Sequence, residues 1–154
     1  MKFFLLFLPI TIIFSACSSK NAFEYFYMSK KQEITQENIQ SVKLEDGDKV
    51  VGICNIVYLN NIMPEKYNTK EYFYIYMFSD DNYKELTFYL QKNKPVYIKA
   101  LPKDNKFQTL TKESYKWQKY YLVEFKKVED IKLVFDIKNR STISKKLIFE
   151  KIEY

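Results

Sequence analysis

Histidine is absent from all 154 positions, which fixes much of what the side chains can do. Imidazole is the group whose ordinary pKa suits proton transfer near neutrality, and it is the commonest metal ligand. Triads that need His are therefore excluded. Carboxylates, thiols and a dense set of aromatic rings remain. Glu45-Asp46-Gly47-Asp48 and Asp80-Asp81-Asn82 carry oxygens of the kind Ca²⁺ takes, about six to eight at a time. Neither has a calcium-loop pattern, and both stand where a hairpin must turn, so a turn is expected at each. Asn139-Arg140-Ser141 matches a glycosylation sequon and is read as a turn as well. No phosphate loop, dinucleotide fingerprint, zinc spacing or nucleophile elbow is present, so no cofactor, metal or catalytic residue is expected. The aromatic residues offer the one positive lead. Tyr72, Tyr74 and Tyr76 alternate onto one face of an extended run, Phe73, Ile75 and Met77 onto the other, and Trp117 stands near Tyr115, Tyr120 and Tyr121. Such rings suit strand packing. Left uncovered, they would form a binding platform. Tyr72, Tyr74, Tyr76, Trp117 and Tyr120 are the candidates for it.

The elements that must position these rings belong to a single domain, since 154 residues are too few for two ordinary ones. Apolar residues make up 47% and charged residues 29%, so the chain can build a core and is neither disordered nor wholly membrane-embedded. The net charge is +6, yet Arg140 is the only arginine among 25 basic residues. Guanidinium is the group favoured for bidentate phosphate and base contacts, so a dedicated nucleic-acid reader is not expected. The lysines lie scattered among acids, as on a solvated surface.

The first residues have their own logic. Met1-Lys2 is a short basic start, and Phe3 to Phe14 is an apolar run of twelve. At about 1.5 Å per residue it cannot cross a hydrocarbon layer about 30 Å thick. It has the length of a signal-peptide core. Ser15-Ala16-Cys17 follows, and here the chain resembles the lipobox of bacterial lipoproteins, although Phe14 stands where that family usually has Leu. The resemblance implies that residues 1–16 are removed as a signal peptide, that Cys17 is lipidated, and that 17–22 form a lipidated tether. Its acyl chains would hold the protein on a membrane, since each buried CH₂ contributes about 0.8 kcal/mol. Ser18 follows the cysteine. Asp there retains lipoproteins at the inner membrane of enteric bacteria, so the resemblance favours the outer membrane of a Gram-negative envelope. Cys54 is then the one thiol left, which rules out an internal disulfide, and its apolar surroundings predict an inert, buried group.

Residues 23–154 read as one β-sandwich domain. Phe23 to Met28 reads as a first strand, and Ser29 to Lys43 as a polar loop with one short helix. Lys49 to Ile62 is a long strand in which Gly52 marks a bulge or a close backbone contact. Glu71 to Phe78 reads as a strand covered on both faces. Leu86 to Leu90, Val96 to Ala100, Trp117 to Lys127, Ile131 to Lys138 and Lys145 to Ile152 complete the strands, with Pro102 to Lys116 a long polar connection. Seven or eight strands with no long amphipathic helix predict an all-β, antiparallel sandwich, with a small open barrel as the competitor. The last three runs resemble the closing strands of immunoglobulin-like domains, which implies that topology, although the Cys-Trp-Cys core of antibody domains is missing. The function expected is a non-enzymatic, membrane-tethered interaction domain that meets an envelope protein or a surface polymer. A carrier of an apolar ligand between the sheets ranks second. A carboxylate-based glycan-acting enzyme ranks third.

Overall fold

A computed structural model describes residues 30–79, 86–111, 117–139 and 144–152. It is an antiparallel sandwich of two sheets, with five and three strands. The helix α1 (Lys30–Glu37) leads into β1 (Ile39–Asp46), which turns at Gly47, φ +60°, into β2 (Lys49–Tyr58). That left-handed conformation is one glycine adopts without strain, and it closes the hairpin expected at Glu45–Asp48. Two sequence readings change here. Ile39–Asp46, read in part as loop, is a strand because β2 gives it a full antiparallel partner from Ile39↔Val57 to Asp46↔Lys49. The long strand expected up to Ile62 ends at Tyr58, and Leu59–Ile62 forms the single turn α2. The proposed strand Phe23–Met28 lies outside the described residues.

The chain continues through β3 (Glu71–Ser79), β4 (Thr87–Leu90), β5 (Tyr97–Leu101), the turn α3 (Gln108–Thr111), β6 (Lys119–Phe125), β7 (Lys132–Lys138) and β8 (Ser144–Glu150). The strand orders are β1-β2-β3-β6-β5 and β4-β7-β8. With β1 set aside, β2-β3-β6-β5 and β4-β7-β8 reproduce the A-B-E-D and C-F-G orders of an immunoglobulin constant-type sandwich. Among the described residues the strand order is therefore that of such a sandwich with one further strand, β1, beside the A position. In antibody domains a disulfide joins strands B and F. Here the equivalent strands meet through Phe73 and Phe135, ring centroids 4.8 Å apart. Phe125 lies edge-on to Phe135 at 5.7 Å, and Phe149 closes on Phe73 at 5.4 Å. Each fully buried ring of this kind contributes about 1.5–3 kcal/mol, and a well-placed ring pair about 0.5–1.5 kcal/mol more.

The β7 alternation holds for Leu133, Phe135 and Ile137, all fully buried. Ile131 is exposed, because it precedes the first paired residue, Lys132. Opposite the bulge at Leu44/Glu45 sits Gly52, where a Cβ would meet the Phe78 carbonyl oxygen at 2.5 Å. Both meanings suggested for that glycine apply.

At one end of the sandwich two polar joints tie the layers together. Glu71, fully buried at the start of β3, accepts hydrogen bonds from Tyr58 Oη (2.5 Å) and Val128 N (3.0 Å) and forms an ion pair with Lys151, whose Nζ lies 2.9 Å from its carboxylate. Lys151 also donates to the Val128 carbonyl. The second joint centres on Asn61 of α2, which donates to Asn38 Oδ1 and to the Glu150 carbonyl, both at 2.7 Å, and accepts from Ile152 N at 3.1 Å. Buried polar groups are tolerated when each finds a partner, and here they do.

Candidate functional site

β3 and β6 bring the tyrosines of the aromatic candidate set together as the alternation required. Tyr76 is directly opposite Tyr120, and Tyr74 stacks near Tyr76 (5.7 Å) and Tyr120 (6.4 Å, planes 9° apart). They do not form a surface platform. Tyr74, Tyr76 and Tyr120 are buried, and Tyr72 is half-buried against Tyr67 at 5.0 Å. The cover comes from the stretch read as a polar connection. Asn105 donates to the Pro102 carbonyl and accepts from Phe107 N, a local turn that folds the chain back over the sheet. Phe107 then lies 4.9 Å from Tyr74, with Leu110 beside it in a second apolar cluster. Lys106 places its ammonium 5.0 Å from the Phe107 ring. The signal for this cover was the pair Phe107 and Leu110, three positions apart on one helical turn. Burial pushes the Tyr74 hydroxyl up to about 12, so it stays neutral.

Trp117 alone of the candidate set is displayed. It is 62% exposed and lines a groove of about 560 Å³ with Val50, Ile53, Phe78 and Lys119. Val50, Ile53 and Phe78 are each about half exposed. Ile53 and Phe78 are directly paired across β2 and β3, so they stand side by side on one face of the sheet. Gly52 sits behind them, which is why β2 and β3 approach so closely at this point. The groove also includes Ser79, a buried residue whose Oγ has no hydrogen-bond partner among the described residues. Val50, Ile53 and Phe78 carried no distinctive spacing in the sequence; their exposure follows from where the cover stops. No protein-family model, curated protein or solved structure matches the chain.

Four described groups capable of acid–base or nucleophilic chemistry, Glu71, Tyr58, Cys54 and Glu45, are engaged or buried within the fold. Glu71 is engaged inside the protein by two hydrogen-bond donors and the Lys151 ammonium. Burial raises the Tyr58 hydroxyl well above its ordinary value, and its hydrogen bond to Glu71 adds to the shift. Burial likewise pushes the Cys54 thiol up to about 12, which keeps it from forming the reactive thiolate. Glu45 is held below the ordinary carboxylate range by its hydrogen bond to Lys145. Asp80-Asp81-Asn82 lies outside the described residues. Among the described residues no three His, Cys, Asp or Glu side chains gather as a metal site would require, and no helix is long and apolar enough to cross a membrane.

Proposed function

We propose that the chain is an exported lipoprotein, anchored through acyl chains on Cys17 to the outer membrane of a Gram-negative envelope. Its immunoglobulin-like domain is a non-enzymatic binding module. The groove around Trp117 is its contact for another envelope component. The observation that carries the reading is the gathering of Val50, Ile53, Phe78 and Trp117, all substantially exposed, around a single groove. Scattered exposed apolar side chains need no explanation, whereas a contiguous group marks a surface that meets something. Tryptophan is also the residue most enriched where binding energy concentrates. The interlocked Phe73, Phe125, Phe135 and Phe149 rings favour this reading over a carrier, whose ligand would need the space they occupy.

The test places a photo-crosslinking amino acid at Trp117, and separately at Lys146 on the three-stranded sheet, in the lipidated protein within its envelope. One discrete cross-linked species from position 117, absent from position 146 and lost on Phe78→Ser, supports the groove. The same pattern from both positions, or none from position 117, removes it.

A further inference from the structure

The sandwich has unequal layers, and the difference leaves a strand uncovered. Among the described residues β5 is the edge of the five-stranded sheet and pairs only with β6. Ile98 is opposite Val123, which is fully buried between the sheets, so Ile98 lies on the inward face. It is nonetheless half-exposed, as is Val96 two positions before it, because the narrower sheet stops short of this edge. An edge strand presents a row of unsatisfied N–H and C=O groups, a template for one more strand. Pro95 and Pro102 bracket it, and proline cannot donate to a ladder. The usable edge is therefore Val96 to Leu101.

Charge decides what this edge accepts. From Leu86 to Lys103 the chain has no acidic residue, while Lys92, Lys94, Lys99 and Lys103 are all exposed. None of the four is in an ion pair among the described residues. The nearest acid across the ladder, Glu124, is already engaged by Lys70 at 2.8 Å. A second copy of the chain is a poor occupant. Antiparallel pairing of two β5 edges about Lys99 sets one ammonium against another, and like charges directly opposite destabilise a ladder. The lysine that blocks self-pairing attracts a carboxylate.

We propose that the β5 edge is a strand-addition site for a short extended segment of a partner protein, about six residues long, in which acidic and apolar residues alternate. The backbone of that segment continues the five-stranded sheet, its apolar side chains cover Val96, Ile98 and Ala100, and its carboxylates meet the lysines. The site shares no residue with the Trp117 groove and stands whether or not that groove binds.

The test uses the full lipidated chain in non-ionic detergent and three labelled hexapeptides: acetyl-(Glu-Val)3-amide, acetyl-(Lys-Val)3-amide, and the acidic peptide N-methylated at each valine. Fluorescence anisotropy should show saturable binding of the acidic peptide alone. Methylation should abolish it, since it removes the ladder donors but keeps the charge. Lys99→Glu should weaken the acidic peptide about tenfold or more, the equivalent of about 1.4 kcal/mol. The same variant should gain affinity for the lysine peptide, which separates a changed edge from a failed fold. Trp117→Ala should leave the affinity unchanged. Equal binding of methylated and unmethylated acidic peptides would mean ionic attraction without a ladder. Loss on Trp117→Ala alone would place the peptide in the groove. Dimerisation of the chain through β5 would make a second copy the occupant. Any of these three results, or no binding at all, overturns the proposal.

Discussion

Removing the ammonium of Lys151 should destabilise the domain more than its position at the far end of β8 suggests. Its Nζ lies 2.9 Å from the Glu71 carboxylate, which has no solvent contact. Breaking a buried ion pair by deleting one partner typically costs about 3–5 kcal/mol, because the remaining charge is left uncompensated. Tyr58 Oη and Val128 N stay on Glu71, and Lys127 stands 4.0 Å away, so Lys151→Met should fall near the lower end, about 3 kcal/mol. Against a total of about 5–15 kcal/mol, that is a large share. Tyr58→Phe removes a hydrogen bond to a charged group and should cost about 1.5–3 kcal/mol. Combining Glu71→Met with Lys151→Met removes both charges together and should recover most of the loss, since an apolar pair of similar volume often replaces a buried ion pair without net cost. The assay is urea unfolding at pH 7 of the soluble chain from Phe23 onward, with the slope against denaturant checked for constancy. A cost below about 1 kcal/mol for Lys151→Met, or a double variant worse than the sum of the singles, would refute the account of this joint.

Three other outcomes follow from the geometry and a fourth from the proposed lipid anchor. Phe135→Ala should cost about 3–5 kcal/mol in the same melts, while Lys132→Ala, whose bond to Glu150 is exposed at both ends, should cost about 0.5 kcal/mol or less; similar midpoints would disprove the facing of β7. Gly52→Ala should cost about 1–3 kcal/mol by driving a methyl into the Phe78 carbonyl, and an unchanged melt would mean that β2 and β3 are not so close. The Cys54 thiol has a folded pKa raised to about 12, so the unfolded chain loses its proton first, and stability should fall as the pH climbs above about 8.5. The slope from that group approaches about 1.4 kcal/mol per pH unit, and Cys54→Ala should flatten it below about pH 10; an unchanged slope would show that the thiol is not protected. Mass spectrometry of the native protein should find acyl chains on an N-terminal Cys17, and Cys17→Ser should release the protein from membranes.

Alternation and turn chemistry were legible in the sequence wherever one residue decides the local geometry. Gly47 marked the hairpin, Gly52 marked the bulge, and the split of Tyr74 and Tyr76 from Phe73, Ile75 and Met77 put the right rings on the right faces. What covers a face is a long-range property: strand packing of the tyrosines was expected from their type, but the stretch from Pro102 to Lys116 was read only as a polar connection. Phe107 and Leu110, three positions apart, were the one local sign of a cover, and their polar neighbours did not show which face they would seal. β1 was hidden for a related reason. Ile39, Val42 and Leu44 are sparse apolar residues among polar ones, and the strand exists because β2 supplies its partner. The groove was half legible: Trp117 stood out by residue type, whereas Val50, Ile53 and Phe78 differ from core residues only in what fails to cover them.

The two polar joints also bear on the order in which the chain can become a protein. Glu71 and Asn61 are made early, but part of what satisfies them comes from β8 and just beyond, with Asn61 bonded to residues 89 and 91 positions downstream. A chain emerging from a ribosome or a membrane pore, amino end first, can pair β1, β2 and β3 while a carboxylate held only by Tyr58 and an amide held by Asn38 still wait for their remaining partners at the end of the layer. Sealing that end before Lys151 and Ile152 arrive would strand a charge in an apolar place, so water must remain there until they do. The late segment thus acts as a keystone: a nascent chain truncated before residue 150 should hold its first hairpins yet stay loose, soft to proteases and unfinished, until the last strand drops in.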